Sequence, residues 1–440
     1  MLFIATLLLF FQGYTQELGK PLPSWQEGYL DIHHINTGRG DAAFYIFPDG
    51  TTLLVDAGER DPTGAWIFTP RSAPLHPNYS RTPSEWIAYY IEKVMPEGQE
   101  PRIDYAMITH FHDDHFGSYY PGAKLSKTGA YYLTGITGVG EHIPIGKMMD
   151  RGYPDYDYPY DMKEAIKQVA NDNAYAAKHV KTIENYWNFI DYHVANSGMK
   201  AEKLQAGRHD QIALLHAPEQ YESFKVQNIK SNGTIWTGKS NETYEYLPDF
   251  SQMSREEMQG ENPLSLVIRI DYGNFRYYTG GDCPGIADLG KPAWFDVATP
   301  VAKAVGEVDV AVLDHHGNRD SHNEFNVSTL RPRVWIQQTW SANHPGNEVL
   351  RRITSTYLYP GPRDLFATNI LEANKHVIGP SLENAYKSTE GHIVLRVLPG
   401  GDTYHVIILD DETEEIPVKA VFGPYQSKSK KSDGTSTTKF

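Results

Sequence analysis

Apolar residues recur along this chain in short runs, bounded by Gly, Pro, Asn and Asp. That is strand patterning. Residues 29–36, 43–47 and 51–56 predict three strands, the last two joined at Pro48-Asp49-Gly50. Residues 105–108 predict a short buried strand. Residues 224–236 predict a hairpin turning at Ser231-Asn232-Gly233, followed by a long polar loop over 237–261. Strands follow at 264–271 and 275–279, then buried ones at 308–313 and 333–338. A last hairpin, 392–397 with 404–409, is expected at a sheet edge.

Helical signals interleave with these runs. Thr82-Pro83-Ser84-Glu85 is a capping box with proline at the first helical position, and Pro96-Glu97-Gly98 stops the helix. Residues 162–196 predict a helical stretch, 292–305 a loop and helix, and one more helix is expected beyond 350. The glycines near 138–145 read as a loop. Strands alternating with helices predict an α/β fold.

The Tyr- and Pro-rich run 153–160 is too punctuated for regular structure. With the helical stretch it predicts an insert over about 150–200, elaborating one domain that spans 16–424. Its aromatic rings suit a sugar, base or choline-like group, or simple packing. Residues 1–11 are apolar, too few to span a bilayer, and polar residues follow. This predicts a signal peptide over 1–15, hence export to the periplasm or medium, with no stable membrane insertion after its removal. The segment carries no Lys or Arg before its apolar core. Residues 425–440 are Ser/Lys/Thr-rich and predict a disordered tail.

Composition narrows the partners. The 440 residues carry a formal net charge of −15. A dedicated DNA-binding protein normally presents a basic surface, so nucleic acid is expected as a substrate only. The single cysteine, Cys283, excludes an internal disulfide.

The chemistry concentrates in His110-Phe111-His112-Asp113-Asp114-His115, directly after the strand at 105–108. A His-rich surface loop would have no reason for this spacing. Imidazole and carboxylate are common ligands of zinc and related divalent ions. His110 and His112 can grip one ion, and Asp114 with His115 a second. Two ions roughly 3.5–4 Å apart would clamp an attacking hydroxide and a leaving oxygen.

This hexapeptide resembles the H-x-H-x-D-H signature of the metallo-β-lactamase fold superfamily. Three further stretches resemble the hydrolase domain of bacterial competence (DNA-uptake) proteins. They are Asn36-Thr37-Gly38-Arg39-Gly40-Asp41-Ala42 with Leu54-Val55-Asp56-Ala57-Gly58, then Tyr278-Thr279-Gly280-Gly281-Asp282, then Asp314-His315-His316-Gly317 with His344-Pro345. They stand in the family's order. One departure is that this branch often carries Asp where the chain has His112.

The resemblance implies a four-layer αβ/βα sandwich of two mixed sheets, with a dinuclear centre at one edge. Asp282 would be shared between the ions, and one of His315 or His316 would complete the set. Asp41 and Asp56 would orient ligands, Asp114 would serve catalysis as well as binding, and His344 would bind substrate or donate a proton. The superfamily usually supplies one more His between 116 and 281. Candidates are His142, His179, His193, His209 and His216, with Asp150 an alternative. His142 is placed in the ligand set, while His179 and His193 read as surface or packing residues.

The expected activity is exported, metal-dependent hydrolysis of an ester, a phosphodiester first, with two divalent ions, zinc first and manganese as the alternative. The substrate would be a small-molecule or surface-attached ester. Lactone or β-lactam hydrolysis is the alternative within the class, and a non-catalytic envelope-binding module the alternative outside it.

Overall fold

The computed structural model describes residues 16–169, 173–254, 257, 260–288 and 290–429. The expected signal peptide lies outside the described residues. Among the described residues eighteen strands form two nine-stranded sheets. They are β1 (Leu30–His34), β2 (Ala43–Ile46), β3 (Thr52–Val55), β4 (Ile103–Met107), β5 (Ile145–Asp150), β6 (Lys200–Lys203), β7 (Phe224–Ser231), β8 (Thr234–Trp236) and β9 (Thr243–Glu245). There follow β10 (Val267–Tyr272), β11 (Phe275–Thr279), β12 (Val310–Val312), β13 (Val334–Gln337), β14 (Asp364–Ala367), β15 (Tyr386–Ser388), β16 (His392–Val397), β17 (Thr403–Leu409) and β18 (Val418–Gln426).

The first sheet runs β18-β17-β16-β1-β2-β3-β4-β5-β6, and the second β15-β14-β13-β12-β11-β10-β7-β8-β9. Each is mixed, with β3 to β6 and β11 to β15 parallel. Five helices accompany the first sheet: α1 (Pro83–Val94), α2 (Asp113–Phe116), α3 (Gly135–His142), α4 (Met162–Val169) and α5 (Ala174–Asn196). Five follow among the strands of the second: α6 (Ala298–Val305), α7 (Glu324–Leu330), α8 (Asn347–Thr354), α9 (Glu372–Ile378) and α10 (Pro380–Ala385).

Side-chain alternation explains the layering. Along β2, Ala43 and Tyr45 face the second sheet, packing with residues such as Ile268, Ile270 and Tyr277. Phe44 and Ile46 face the other way, onto Ile87 and Ile91 of α1, Ile136 and Val139 of α3 and Ile183 of α5. The second sheet does the same: Tyr277 points inward while Tyr278 packs with Val301 of α6, Val327 of α7 and Val349 of α8. Three apolar seams therefore separate four layers, a four-layer αβ/βα sandwich.

Several expectations need correction. The glycines at 138–145 do not make a loop; they belong to α3. A Cβ at Gly140 would stand 2.4 Å from the Phe189 ring, and one at Gly138 2.4 Å from Ser84 Oγ. These glycines permit close packing of helices. From residue 347 on the chain adds three helices where one was expected, α8, α9 and α10, and two parallel strands, β14 and β15, too short to show alternation. The hairpin of β16 and β17 is interior; β18 forms the edge. Residues 425–429, expected in the tail, are not disordered: Tyr425 and Gln426 complete β18, and Lys428 donates to Asp309 and to the Val308 carbonyl; the rest of the expected tail lies outside the described residues. Among the described residues no helix is long and apolar enough to cross a membrane.

Two histidines away from the metal loop make the fold sensitive to acid. His33 and His392 are buried, and burial pushes each pKa down to about 3, with Arg396 adding to the effect on His33 and His76 on His392. His392 Nδ1 accepts the Asn36 N–H. The folded state therefore binds fewer protons than the unfolded chain between pH 6.5 and 3. The stability these rings contribute is full above pH 6.5 and is lost as pH falls towards 3. The urea midpoint should fall between pH 7 and 5. In His392→Gln that slope should flatten, by up to about 1.4 kcal/mol per pH unit where the unfolded ring is fully protonated; an unchanged slope would reject the assignment.

Candidate metal centre

The parallel strand β4 ends at Met107, and the chain then turns through His110–His115 into the single turn of α2. Two other loops clasp this turn from behind. Asp41 N–H donates to the Asp114 carbonyl at 2.8 Å, Ala57 N–H to the His115 carbonyl at 2.8 Å and Glu59 N–H to the Asp113 carbonyl at 3.1 Å. Such close approach needs glycine. A Cβ at Gly40 would lie 2.2 Å from the Asp114 carbonyl oxygen, and one at Gly58 2.1 Å. The glycines of the Asn36–Ala42 and Leu54–Gly58 motifs thus have a mechanical reason.

From the second sheet, β11 delivers Gly280-Gly281-Asp282, and β12 delivers Asp314-His315-His316-Gly317. His315 and His316 both adopt left-handed backbone, with φ of 47° and 54°. That turn swings both rings back over the edge of the sandwich.

Two groups of donor atoms result. His110, His112 and Asp282 offer atoms that lie within 4.8 Å of one another, as do Asp41, His115 and His316. Asp282 joins the two groups. Its Oδ2 is 3.6 Å from His110 Nε2 and 3.8 Å from His315 Nε2; its Oδ1 is 3.1 Å from His115 Nε2 and 3.7 Å from His316 Nε2. Asp114 Oδ2 lies 3.2 Å from His316 Nε2.

These contacts are close, yet most are not hydrogen bonds. His115 Nε2, His316 Nδ1, Asp41 Oδ1 and Asp282 Oδ1 are all buried without a hydrogen-bond partner. His316 Nδ1 and Asp41 Oδ1 stand 2.9 Å apart but are misaligned for a bond. Buried polar atoms are normally satisfied. Nitrogens and carboxylate oxygens gathered this way fit divalent cations. Burial pushes the Asp282 carboxyl up, but His115, His316, His315 and His110 outweigh it and hold the group well below its ordinary range. Burial, reinforced by His115, holds His110 well below its own.

The orienting contacts are explicit on one side. Asp56 Oδ2 is 2.8 Å from His115 Nδ1, and Asp56 also accepts from the Thr109 N–H and hydroxyl. That leaves Nε2 of His115 for the cluster. His315 Nδ1 lies 2.6 Å from Asp320. Asp41, expected only to orient, stands inside the donor set. No pattern in the sequence distinguished it from a turn-capping Asp, because it reaches the cluster only through the Gly40 and Gly58 clasp.

Between 116 and 281 no described histidine enters either group. His142 is exposed at the end of α3, ahead of β5. Because β4 and β5 are parallel, with Ile103 opposite Ile145, His142 lies at the far end of the strands from the metal loop. It is not a ligand. His209 and His216 are exposed, and His193 is engaged with Tyr131 and Ser197. Asp150 spends its oxygens on the N–H groups of Gly152 and Tyr153 and on the hydroxyls of Tyr156 and Tyr186. His179, read as a surface residue, lines a cleft beside His112. Cys283 is buried in the outer seam and joins neither group.

His344 is buried and stacks on His316, with ring centres 4.7 Å apart and planes at 17°. Burial, with His316 and His315 beside it, lowers its pKa well below 6.5, so the ring is neutral. Its Nδ1 has no hydrogen-bond partner. Trp340 packs against both rings, and its other neighbour is Arg60, whose guanidinium lies between Trp340 at 4.0 Å and Trp66 at 3.8 Å.

No family model and no curated protein matches this chain. Among solved structures, one from Parabacteroides distasonis ATCC 8503, named provisionally as a metal-dependent hydrolase, overlaps 84% of this chain and 96% of its own. The identity is 12% and the TM-score 0.31. That overlap is too loose to bear on the chemistry, which rests on the donor geometry.

Proposed function

We propose that the chain is an exported metal-dependent hydrolase of phosphodiester bonds, using two divalent ions, zinc first and manganese as the alternative. One observation carries the reading: two donor groups meet at Asp282, and several of their atoms are buried without a partner. Leaving a buried polar atom unpaired costs about 1–3 kcal/mol, which a bound cation would offset. His110 and His112 would hold one ion, and Asp114, His115 and His316 the other, with Asp282 between them and Asp41 beside the second. When bound, the ions supply Lewis acidity and let water lose a proton near neutral pH.

The chain's own groups do the rest. Asp56 fixes the ring of His115. Asp114 holds His316 and can take a proton from water. The neutral ring of His344 offers a hydrogen bond to the leaving oxygen. Arg60, fixed between two indoles and 3.9 Å from Asp113, keeps positive charge beside the site and suits an anionic substrate. The −15 formal charge favours a small-molecule or surface-attached ester over stable binding to long nucleic acid. Export rests on the apolar residues 1–11.

The test is hydrolysis of bis(p-nitrophenyl) phosphate by the protein loaded with zinc or manganese. Activity should vanish with chelator and in His112→Ala, and return to the wild type when metal is restored. Two bound ions without hydrolysis would reject the phosphodiester reading and bring lactones and β-lactams forward.

A further inference from the structure

A cleft of about 310 Å3 opens beside His112 and Asp113. Its far wall is one face of α5. Tyr175, Lys178, His179 and Thr182 line it at spacings i, i+3, i+4 and i+7, which is a single helical stripe. Further along the same stripe, Tyr186 and Phe189 are buried, Tyr186 against Phe111 and Phe116 of the metal loop. Tyr160, from the Tyr-rich run, closes a third side.

The charges here are already matched. Lys178 Nζ is 3.2 Å from Asp61, and Glu261 pairs with Arg151 at 2.6 Å. What the cleft offers is therefore aromatic surface and hydrogen-bonding edges rather than net charge. Tyr175 is 77% exposed at its mouth, more than packing would leave. A quaternary ammonium would find the carboxylates of the cleft, Glu261 and Asp113, already facing Arg151 and Arg60. An alkyl chain would strand polar groups. A neutral ring bearing hydroxyls satisfies both the tyrosines and the polar stripe. The volume lies at the small end of the roughly 300–1,000 Å3 of ligand pockets, which suits a single small group and excludes a duplex.

We propose that this cleft binds a sugar ring attached to the scissile ester, stacked on Tyr175 and Tyr160 and hydrogen-bonded by Lys178 and His179. The proposal rests on the hydrolase reading, which it deepens by naming the substrate's organic arm. The insert over α4 and α5 is thereby a specificity element, and the glycosyl and nucleoside cases differ only in what the sugar carries.

Tyr175→Ala and Lys178→Ala alter partly exposed side chains, so the fold should survive, as circular dichroism would show. The loaded enzyme is given two substrates that differ in one arm, the p-nitrophenyl ester of thymidine 5′-phosphate and methyl p-nitrophenyl phosphate. In Tyr175→Ala, kcat/KM for the thymidine ester should fall about tenfold, the loss of one stacking contact, while the methyl ester changes less than about twofold. An equal change for both, or none for either, overturns the proposal.

If the wild type cleaves neither ester, the hydrolase reading has failed, and the cleft is read without catalysis. Saturation-transfer NMR on the metal-free protein uses thymidine, methyl glucoside and choline. Sugar-proton signals lost in Tyr175→Ala support the subsite and say which sugar it takes. A choline signal alone, or none, overturns it.

Discussion

Replacing Asp282 with alanine should empty both halves of the centre. Metal content measured by plasma mass spectrometry is expected to drop from two ions per chain to less than one, and the zinc-dependent rise in Tm should disappear with it. Hydrolysis should fall by more than the roughly 10–100-fold that loss of a supporting residue causes. The reason is geometric. Among the described residues Asp282 is the one carboxylate whose two oxygens lie within 4 Å of four imidazoles, Oδ1 towards His115 and His316 of one donor group, Oδ2 towards His110 of the other and towards His315. Without it, His110, His115, His315 and His316 keep their places but lose the charge that draws cations among them. His112→Ala removes a residue of one group only, so it should lose the first ion and keep the second. Asp282→Asn retains the shape and removes the charge; it separates the two contributions. Two tightly held ions in Asp282→Ala would show that the groups do not share a centre.

The sequence carried this much because the donors sit in short contiguous motifs. His110 to His115, Asp282 and the His315-His316 pair each follow a legible strand, and strand ends at one edge of an α/β sandwich converge. The capping box at Thr82 was readable for the same local reason: both of its hydrogen bonds form within four residues. What was hidden depends on contacts distant in sequence. Asp41 enters the donor set through a backbone clasp to Asp114. Gly138 and Gly140 lie in a helix because Ser84 and Phe189 press against it. His179 lies on the same stripe of α5 as the buried Thr182 and Tyr186, but that this stripe lies across the metal loop is a contact distant in sequence. The Tyr-rich run divides likewise: Tyr156 is buried against Phe111 and Trp187, while Tyr160 lines the cleft. Packing describes Tyr156, and substrate contact is what the proposal assigns to Tyr160.

Gly58→Ala should damage the centre without touching a ligand. The added methyl would lie 2.1 Å from the Asp114 carbonyl oxygen, 2.6 Å from its carbon and 2.7 Å from the Gly40 Cα. All three are backbone atoms, so no side chain can swing away. Gly58 carries no left-handed φ, which makes the cost one of space rather than of conformation. Its N–H donates to the Asp41 carbonyl at 2.8 Å, so a retreat of residue 58 also pulls on Asp41. Either the 113–115 turn shifts outward or the two glycine loops separate. Overpacking of this kind costs about 1–3 kcal/mol, which should register as a lower Tm. The larger effect falls on chemistry, because Asp114, His115 and Asp41 move relative to Asp282 and His316, which the second sheet holds in place. A displacement of about 1 Å costs on the order of a hundredfold in rate. Metal titration should show weaker binding at the Asp114–His115 side, while the His110–His112 side is less affected. Wild-type Tm and two ions of unchanged affinity would mean that the clasp gives more easily than its backbone contacts allow.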